Sequence, residues 1–324
     1  MHNLNLHGYT AVNLVADVME EYNPLHIDTN LVNAWGLAFG PSGIAWISST
    51  EKGVTTVYNQ SGVTVLPPVA IPFHEEPNGG EPTGVIFNST SDFAISSLSQ
   101  TSKFIFVTEN GTIAAWSSGS TAIEVADRSS FDAVYKGVAM ATNNGANYLY
   151  ATNFKGGTID VFDNAFNYVS MSFVDPNMPS GFAPFGIENI DGKLYVTYAL
   201  QLGPDNEDDQ AGPGNGYVDI FNPDGSFVSR FASQGTLNSP WAILQIPSMN
   251  NQTATILVGN FGDGHINAFT TDGTFIGQLK KGNTPLEVEG LWALEFAPNN
   301  SNSIFFTAGP DGEEHGVFGV ISKD

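Results

Sequence analysis

The chain contains no cysteine. Disulfide cross-links, thiolate nucleophiles and cysteine-held metals are excluded together. Bases are scarce as well: lysine plus arginine number 10 against 33 aspartates and glutamates, for a formal net charge of −23. The acidic share is ordinary, so the imbalance comes from missing bases. Such a surface repels phosphate backbones, which argues against nucleic acid as a partner, and it disfavours anionic membrane surfaces. No apolar run reaches the roughly 18 residues that suggest a spanning helix, so no membrane insertion is expected. The N-terminal stretch from Met1-His2-Asn3 onward shows neither a basic n-region nor an apolar h-region. With a signal peptide absent from this chain, the expectation is the mature form of an extracellular or periplasmic protein.

Catalytic signatures are missing too. There is no G-x-S-x-G elbow of a serine hydrolase and no dinucleotide or phosphate-loop fingerprint. The 6 histidines include no H-x-x-x-H pair with zinc spacing. Helix-period stretches of useful length are absent, which leaves an all-β reading.

What is present is a repeated phrase. A small residue followed by an apolar strand occurs six times: Trp35-Gly36-Leu37, Thr83-Gly84-Val85, Lys136-Gly137-Val138, Phe185-Gly186-Ile187, Trp241-Ala242-Ile243 and Trp292-Ala293-Leu294. The interval is roughly 50 residues, a period of the kind that marks propellers and other repeat arrays. Within each period the strand signals come in fours, as at 242–247, 254–260, 264–269 and 275–279. Turns such as Asn222-Pro223-Asp224-Gly225 and Thr270-Thr271-Asp272-Gly273 join third to fourth strands, with glycine supplying positive φ. The sixth period lacks a fourth strand, while residues 9–18 alternate and precede the first period. A strand at each end that completes one blade removes an open edge.

The expected architecture is therefore a single six-bladed β-propeller over residues 1–324, closed by the N-terminal strand. The blades run approximately 31–79, 80–132, 133–181, 182–237, 238–288, and 289–324 plus 9–18. Trp35, Trp241 and Trp292 are expected to wedge between blades near the axis, since aromatic side chains carry the largest packing area.

In a propeller, the loops leading into first strands share a face with those joining second to third strands. The latter hold Asn153, Asn260, Asp263, Asp311 and His315, the ligand-binding candidates. The former add Asn33, Glu81, Asn238 and Glu289, each three or four residues before its small residue. Two carboxylates and two amide oxygens converging at a channel mouth suit a hard cation such as calcium (Ca2+). They equally suit turn caps, and the unequal offsets leave both readings open. The longest loop, 200–215 (LQLGPDNEDDQAGPGN), carries Asp205, Glu207, Asp208 and Asp209; loops much longer than their siblings tend to be functional or mobile. The acidic stretches Glu313-Glu314-His315 and His74-Glu75-Glu76 read as solvated loops.

Several segments resemble a mostly bacterial, predicted secreted family of six-bladed propellers of NHL/TolB-like type, some with a PEP-CTERM-type sorting tail. They are 31–39 (LVNAWGLAF), 84–88 (GVIFN), 151–162 (ATNFKGGTIDVF), 193–199 (KLYVTYA), 212–221 (GPGNGYVDIF), 237–242 (LNSPWA), 258–269 (VGNFGDGHINAF), 290–294 (GLWAL) and 306–319 (FTAGPDGEEHGVFG). The resemblance implies the fold and export, and no catalytic residues. A weaker one runs to calcium-dependent lactonases of the gluconolactonase and regucalcin type, for whose Glu, Asn and Asp set Glu81, Asn238 and Glu289 stand in without a matching aspartate.

Two functions are consistent with these features. One is a secreted binding protein whose acidic, Asn/Gly-rich loop face takes a small molecule, glycan or protein ligand. The alternative is a divalent-metal-dependent hydrolase or lyase, lactonase-like, with Glu81 and Glu289 holding the cation and Asn33 and Asn238 completing its shell. A scaffold that meets partners through its blade edges is a third.

Overall fold

The computed structural model describes residues 4–248, 252–298 and 300–323. The outermost positions of the expected domain, residues 1–3 and Asp324, lie outside them. Six blades stand around one axis, as the repeats require: five are four-stranded antiparallel sheets, and the last has four antiparallel strands and a fifth added at its edge. The innermost strands are Ala34–Phe39, Pro82–Phe87, Tyr135–Asn143, Phe182–Ile190, Pro240–Ile246 and Leu291–Ala297. Each holds the small residue of the repeated phrase, and the reason is steric. A methyl at Gly186 would run into the backbone carbonyl of Trp241 in the next inner strand. Six strand backbones converging on an axis approach too closely for a larger side chain there.

Each blade buries both faces against its neighbours. Trp46 of blade 1 stacks on Phe104 of blade 2 at 4.2 Å. Between blades 4 and 5, Ile220, Phe231, Ile243 and Phe269 share one cluster. Buried threonines add polar stitches that sequence reading did not anticipate. Thr50 donates to the Pro82 carbonyl at 2.8 Å, Thr83 to that of Tyr135 at 2.7 Å and Thr152 to that of Phe185 at 2.6 Å. Thr307 does the same to Trp35 across the closing junction. Each hydroxyl ties one blade to the inner strand of the next, satisfying carbonyls that burial would otherwise leave costly.

The last blade is assembled from both ends of the sequence. Tyr9–Ala16 pairs antiparallel with Val317–Lys323, from Tyr9 opposite Lys323 to Ala16 opposite Val317. The strand stops two residues short of the expected 18. Asp17 turns inward there, accepting the Gly316 N–H at 3.1 Å and pairing with His315 Nδ1 at 2.8 Å. A short strand not foreseen from sequence, His26–Ile27, then adds in parallel outside it. Among the described residues no helix is long and apolar enough to cross a membrane.

Candidate functional site

The loop face closes over a lysine. Lys136 belongs to the third copy of the repeated phrase, in the place that tryptophan, threonine or phenylalanine takes elsewhere. Its side chain is 2% exposed. The ammonium pairs with Glu109, lies 3.7 Å from Asp208 Oδ1 and sits 5.1 Å above the Trp35 ring. Burial alone would push its pKa down, but Glu109, Asp208 and Glu313 outweigh that and hold it raised.

Carboxylates outnumber this one cation. Burial, reinforced by Glu109, pushes Glu313 up to about 7, although Lys136 and a 2.7 Å hydrogen bond from Asn33 oppose the shift. Glu51 and Glu81 are raised by burial and then by Glu109. Asp209 is raised chiefly by burial. The mouth thus gathers more carboxylates than its one buried ammonium neutralises, in surroundings partly withdrawn from water.

Beneath lies an aromatic floor. Trp292 is sandwiched between Trp35 at 3.6 Å and Phe261 at 3.9 Å, with Phe185 and Trp241 edge-on. Trp35 and Trp292 are packing, as expected, each 1% exposed, whereas Trp241 is half-buried and lines the far cavity of the channel. The indole N–H of Trp35 is buried without a partner.

The long loop 200–215 folds across this mouth. Gln201 donates to the Phe154 carbonyl at 2.7 Å, Glu207 pairs with Lys155 at 2.8 Å, and the Gly212 N–H donates to Asn238 Oδ1 at 2.6 Å. Three anchors from blades 3 and 5 hold a segment rich in aspartate above Lys136.

The expected metal quartet is distributed. Asn33 Oδ1 accepts the Trp292 indole N–H at 2.9 Å, and Asn238 Oδ1 accepts that of Gly212, so both amide oxygens serve as anchors. Glu81 sits with Asn110, Glu109 and Glu51, whereas Glu289 accepts the Asp311 N–H at 3.2 Å. A hard cation at this face would meet carboxylates in one group or the other, with the amides already engaged.

The ligand candidates divide likewise. Asp263, Asp311 and Glu289 do come together, with Glu287, around a cavity of about 240 Å³ that has Phe261 as its apolar wall and Ala211 of the long loop at its rim. Asn260 flanks it, donating to Asp263 Oδ1 at 2.9 Å while its own Oδ1 is buried without a partner. Asn153 instead caps its turn, accepting N–H groups from Gly156 at 3.0 Å and Val134 at 3.2 Å. His315 is spent on Asp17, the bond that raises its pKa first of all, and so helps fasten the closing strand.

Sequence reasoning passed over Lys136 and Glu109, and over Glu188 and Glu295 at the far end of the channel. The available signal was charge inside the repeated phrase. On the outer edge, His74, Glu124 and Asp127 bring three ligand atoms within 4.8 Å of one another, a grouping that the solvated-loop reading of 74–76 does not anticipate.

No family model matches the chain. Two relatives from Acanthamoeba polyphaga mimivirus align over most of it. Uncharacterized protein R648 is 34% identical over 320 residues, covering 92% of this chain and 77% of its own length. Uncharacterized protein L690 is 31% identical over 318 residues, covering 92% and 82%. Among solved structures, a streptogramin B lyase superposes with a TM-score of 0.57 at 14% identity, covering 98% of this chain and 97% of its own. The gluconolactonase XC5397 from Xanthomonas campestris gives 0.56 at 11%, covering 91% and 87%. Regucalcin from Agrobacterium tumefaciens, a calcium-binding protein, gives 0.58 at 12%, covering 99% and 96%. At such identities these structures share the propeller fold.

Proposed function

We propose that this chain, which belongs to the family of the mimivirus proteins R648 and L690, is a binding propeller whose loop face takes a cationic small ligand. One observation carries the reading: the excess of carboxylate at a partly dried mouth. Glu51, Glu81, Asp209 and Glu313 are all held above the usual carboxylate range around a lone buried ammonium. Burial first and neighbouring carboxylates second disfavour ionisation here, and a cation from outside offsets both. Among the described residues, the wall of the cavity lined by Asp263, Glu287, Glu289 and Asp311 includes no basic side chain. Carboxylates around an aromatic face suit an amine or guanidinium, through charge-assisted hydrogen bonds and ring contact.

Metal-dependent hydrolysis or lysis is the second reading, favoured by the carboxylates of Glu81 and Glu289, which pair with no basic side chain among the described residues. Their grouping supports calcium on Glu81 with Glu109, or on Glu289 with Asp311, and it gives the two asparagines no part. The resemblance to a mostly bacterial family that is predicted to be secreted supports an extracellular or periplasmic location for either activity.

Thermal unfolding with spermidine, arginine or calcium chloride tests both. A ligand at a hundredfold excess over its Kd stabilises by about 2.7 kcal/mol. Spermidine or arginine is expected to raise Tm by several degrees, and Glu289→Gln with Asp311→Asn to remove most of that rise. A response to calcium alone, lost in Glu81→Gln or Glu289→Gln, would favour the metal-dependent reading. No response to any of the three would overturn the cation-binding assignment.

A further inference from the structure

The opposite mouth of the channel is a different chemical place. The far halves of all six inner strands open there into a cavity of about 480 Å³. Its wall is mixed: the apolar side chains of Phe39, Ile86, Met140, Ile243 and Phe296 share it with polar groups, Asn189 and Ser89 among them. Two of the lining residues are titratable, Glu188 from blade 4 and Glu295 from blade 6, and among the described residues they are the only ones.

These two glutamates occupy equivalent positions, two residues after the small residue of the repeated phrase. The other copies place Ala38, Ile86, Ala139 and Leu244 there. The fold therefore tolerates an apolar side chain at this level, and nothing in the repeat calls for a carboxylate. Among the described residues neither has a side-chain hydrogen-bond partner. Glu188 accepts the N–H of Asn189 at 3.1 Å and Glu295 that of Phe296 at 3.0 Å, each from its own neighbour. Burial, with Glu295 adding to it, pushes Glu188 up to about 8; burial pushes Glu295 up to about 7. Both are half-buried, and a carboxyl partly withdrawn from water without a counter-charge is costly.

We propose that this cavity is a second binding site, for an organic cation with an apolar body, whose ammonium or amidinium is held by Glu188 and Glu295. The volume falls within the range of small-molecule sites, roughly 300–1,000 Å³. The apolar side chains of the wall accept a ring or short alkyl chain, and a planar amidinium presents the paired N–H donors that carboxylates bind best. Binding completes the ionisation of both carboxyls and releases protons to solvent. Glu188 and Glu295 line the same cavity, with no other titratable group among its described lining residues, so the pH response belongs to them.

Benzamidine, with neutral benzamide as its isostere, tests this by titration calorimetry on the full chain. Because the loop face is itself assigned to cations, the measurement uses the Glu289→Gln, Asp311→Asn background beside the parent. Benzamidine affinity is expected to rise at least tenfold between pH 6 and pH 8.5, with proton release at pH 7, in both backgrounds. Glu188→Gln and Glu295→Gln should each weaken it at least tenfold, and benzamide should not bind. Ser89→Trp, an exposed change at the rim, should block entry without touching the core. The paired Gln variant has a folding readout of its own. An acid whose pKa is raised by folding stabilises below its unfolded value, near 4.5, and loses that contribution as pH climbs through about 7 and 8. Parent Tm should fall between pH 5 and 8.5, and fall less in the Gln pair. Benzamidine binding that is absent at every pH, or unchanged by the Gln and Ser89→Trp variants, would overturn the proposal.

Discussion

A chain lacking residues 1–18 is expected not to fold into a stable propeller. Tyr9–Ala16 is the outer strand of blade 6, and its side chains serve two neighbours. Leu14 and Val15 pack with Phe39 and Tyr58 of blade 1, while Tyr9 and Ala16 join Leu279 and Leu286 on the side of blade 5. Burying a Val, Leu or aromatic side chain contributes about 1.5–3 kcal/mol each. Three such groups sum to about 5–9 kcal/mol, against a total stability of about 5–15 kcal/mol for a whole domain. Deletion also exposes the unpaired edge of Val317–Lys323, a template for aggregation, and strips His315 of Asp17. Far-UV circular dichroism and urea unfolding of the truncated chain provide the check, with a synthetic peptide of residues 4–18 added to restore the fold. A truncated chain melting within a few degrees of the parent would show that the ring closes without it.

Trp292→Ala should be the most damaging single substitution, costing about 3–5 kcal/mol as a large-to-small change in a packed core. The ring lies between Trp35 and Phe261 and touches Phe185 and Trp241, so its loss opens a void where blades 1, 4, 5 and 6 meet. The change also leaves Asn33 Oδ1 without its donor, and Asn33 holds Glu313. Damage therefore spreads from the floor to the charged mouth. Trp292→Phe separates the two effects by keeping most of the stack and losing the N–H, at about 1–3 kcal/mol for a buried acceptor left unpaired. Urea midpoints with unchanged slope measure both. A cost under about 1 kcal/mol for Trp292→Ala would mean that the floor relaxes around the void.

Much of this architecture was legible because the propeller imposes a local steric rule at a regular interval. Inner strands need a small residue where backbones converge, and that demand writes the same phrase six times. The closing strand was legible by subtraction, since the sixth period lacked one. The mouth was harder to read because side-chain direction in its loops depends on backbone conformation. Asn33, Asp311 and Glu313 all adopt positive φ, at 48°, 54° and 72°, which aims Asn33 at Trp292 and Glu313 inward toward Lys136. A sequence position three residues before a glycine does not reveal that. Lys136, Glu188 and Glu295 went unread for the opposite reason. They sit in the most regular part of the repeat, where attention falls on the pattern and a charged substitution passes as noise. Burial turns that irregularity into the strongest electrostatic feature of each mouth.

The facing of Tyr9 and Lys323 across one pair of strands has an engineering consequence. A linker of a few residues would join them directly, and new termini could then be cut into a tip such as the Asn222–Gly225 turn. The permuted polypeptide would place its break in blade 4 and make blade 6 continuous, so that comparing the two versions weighs closure from both ends against the blades themselves.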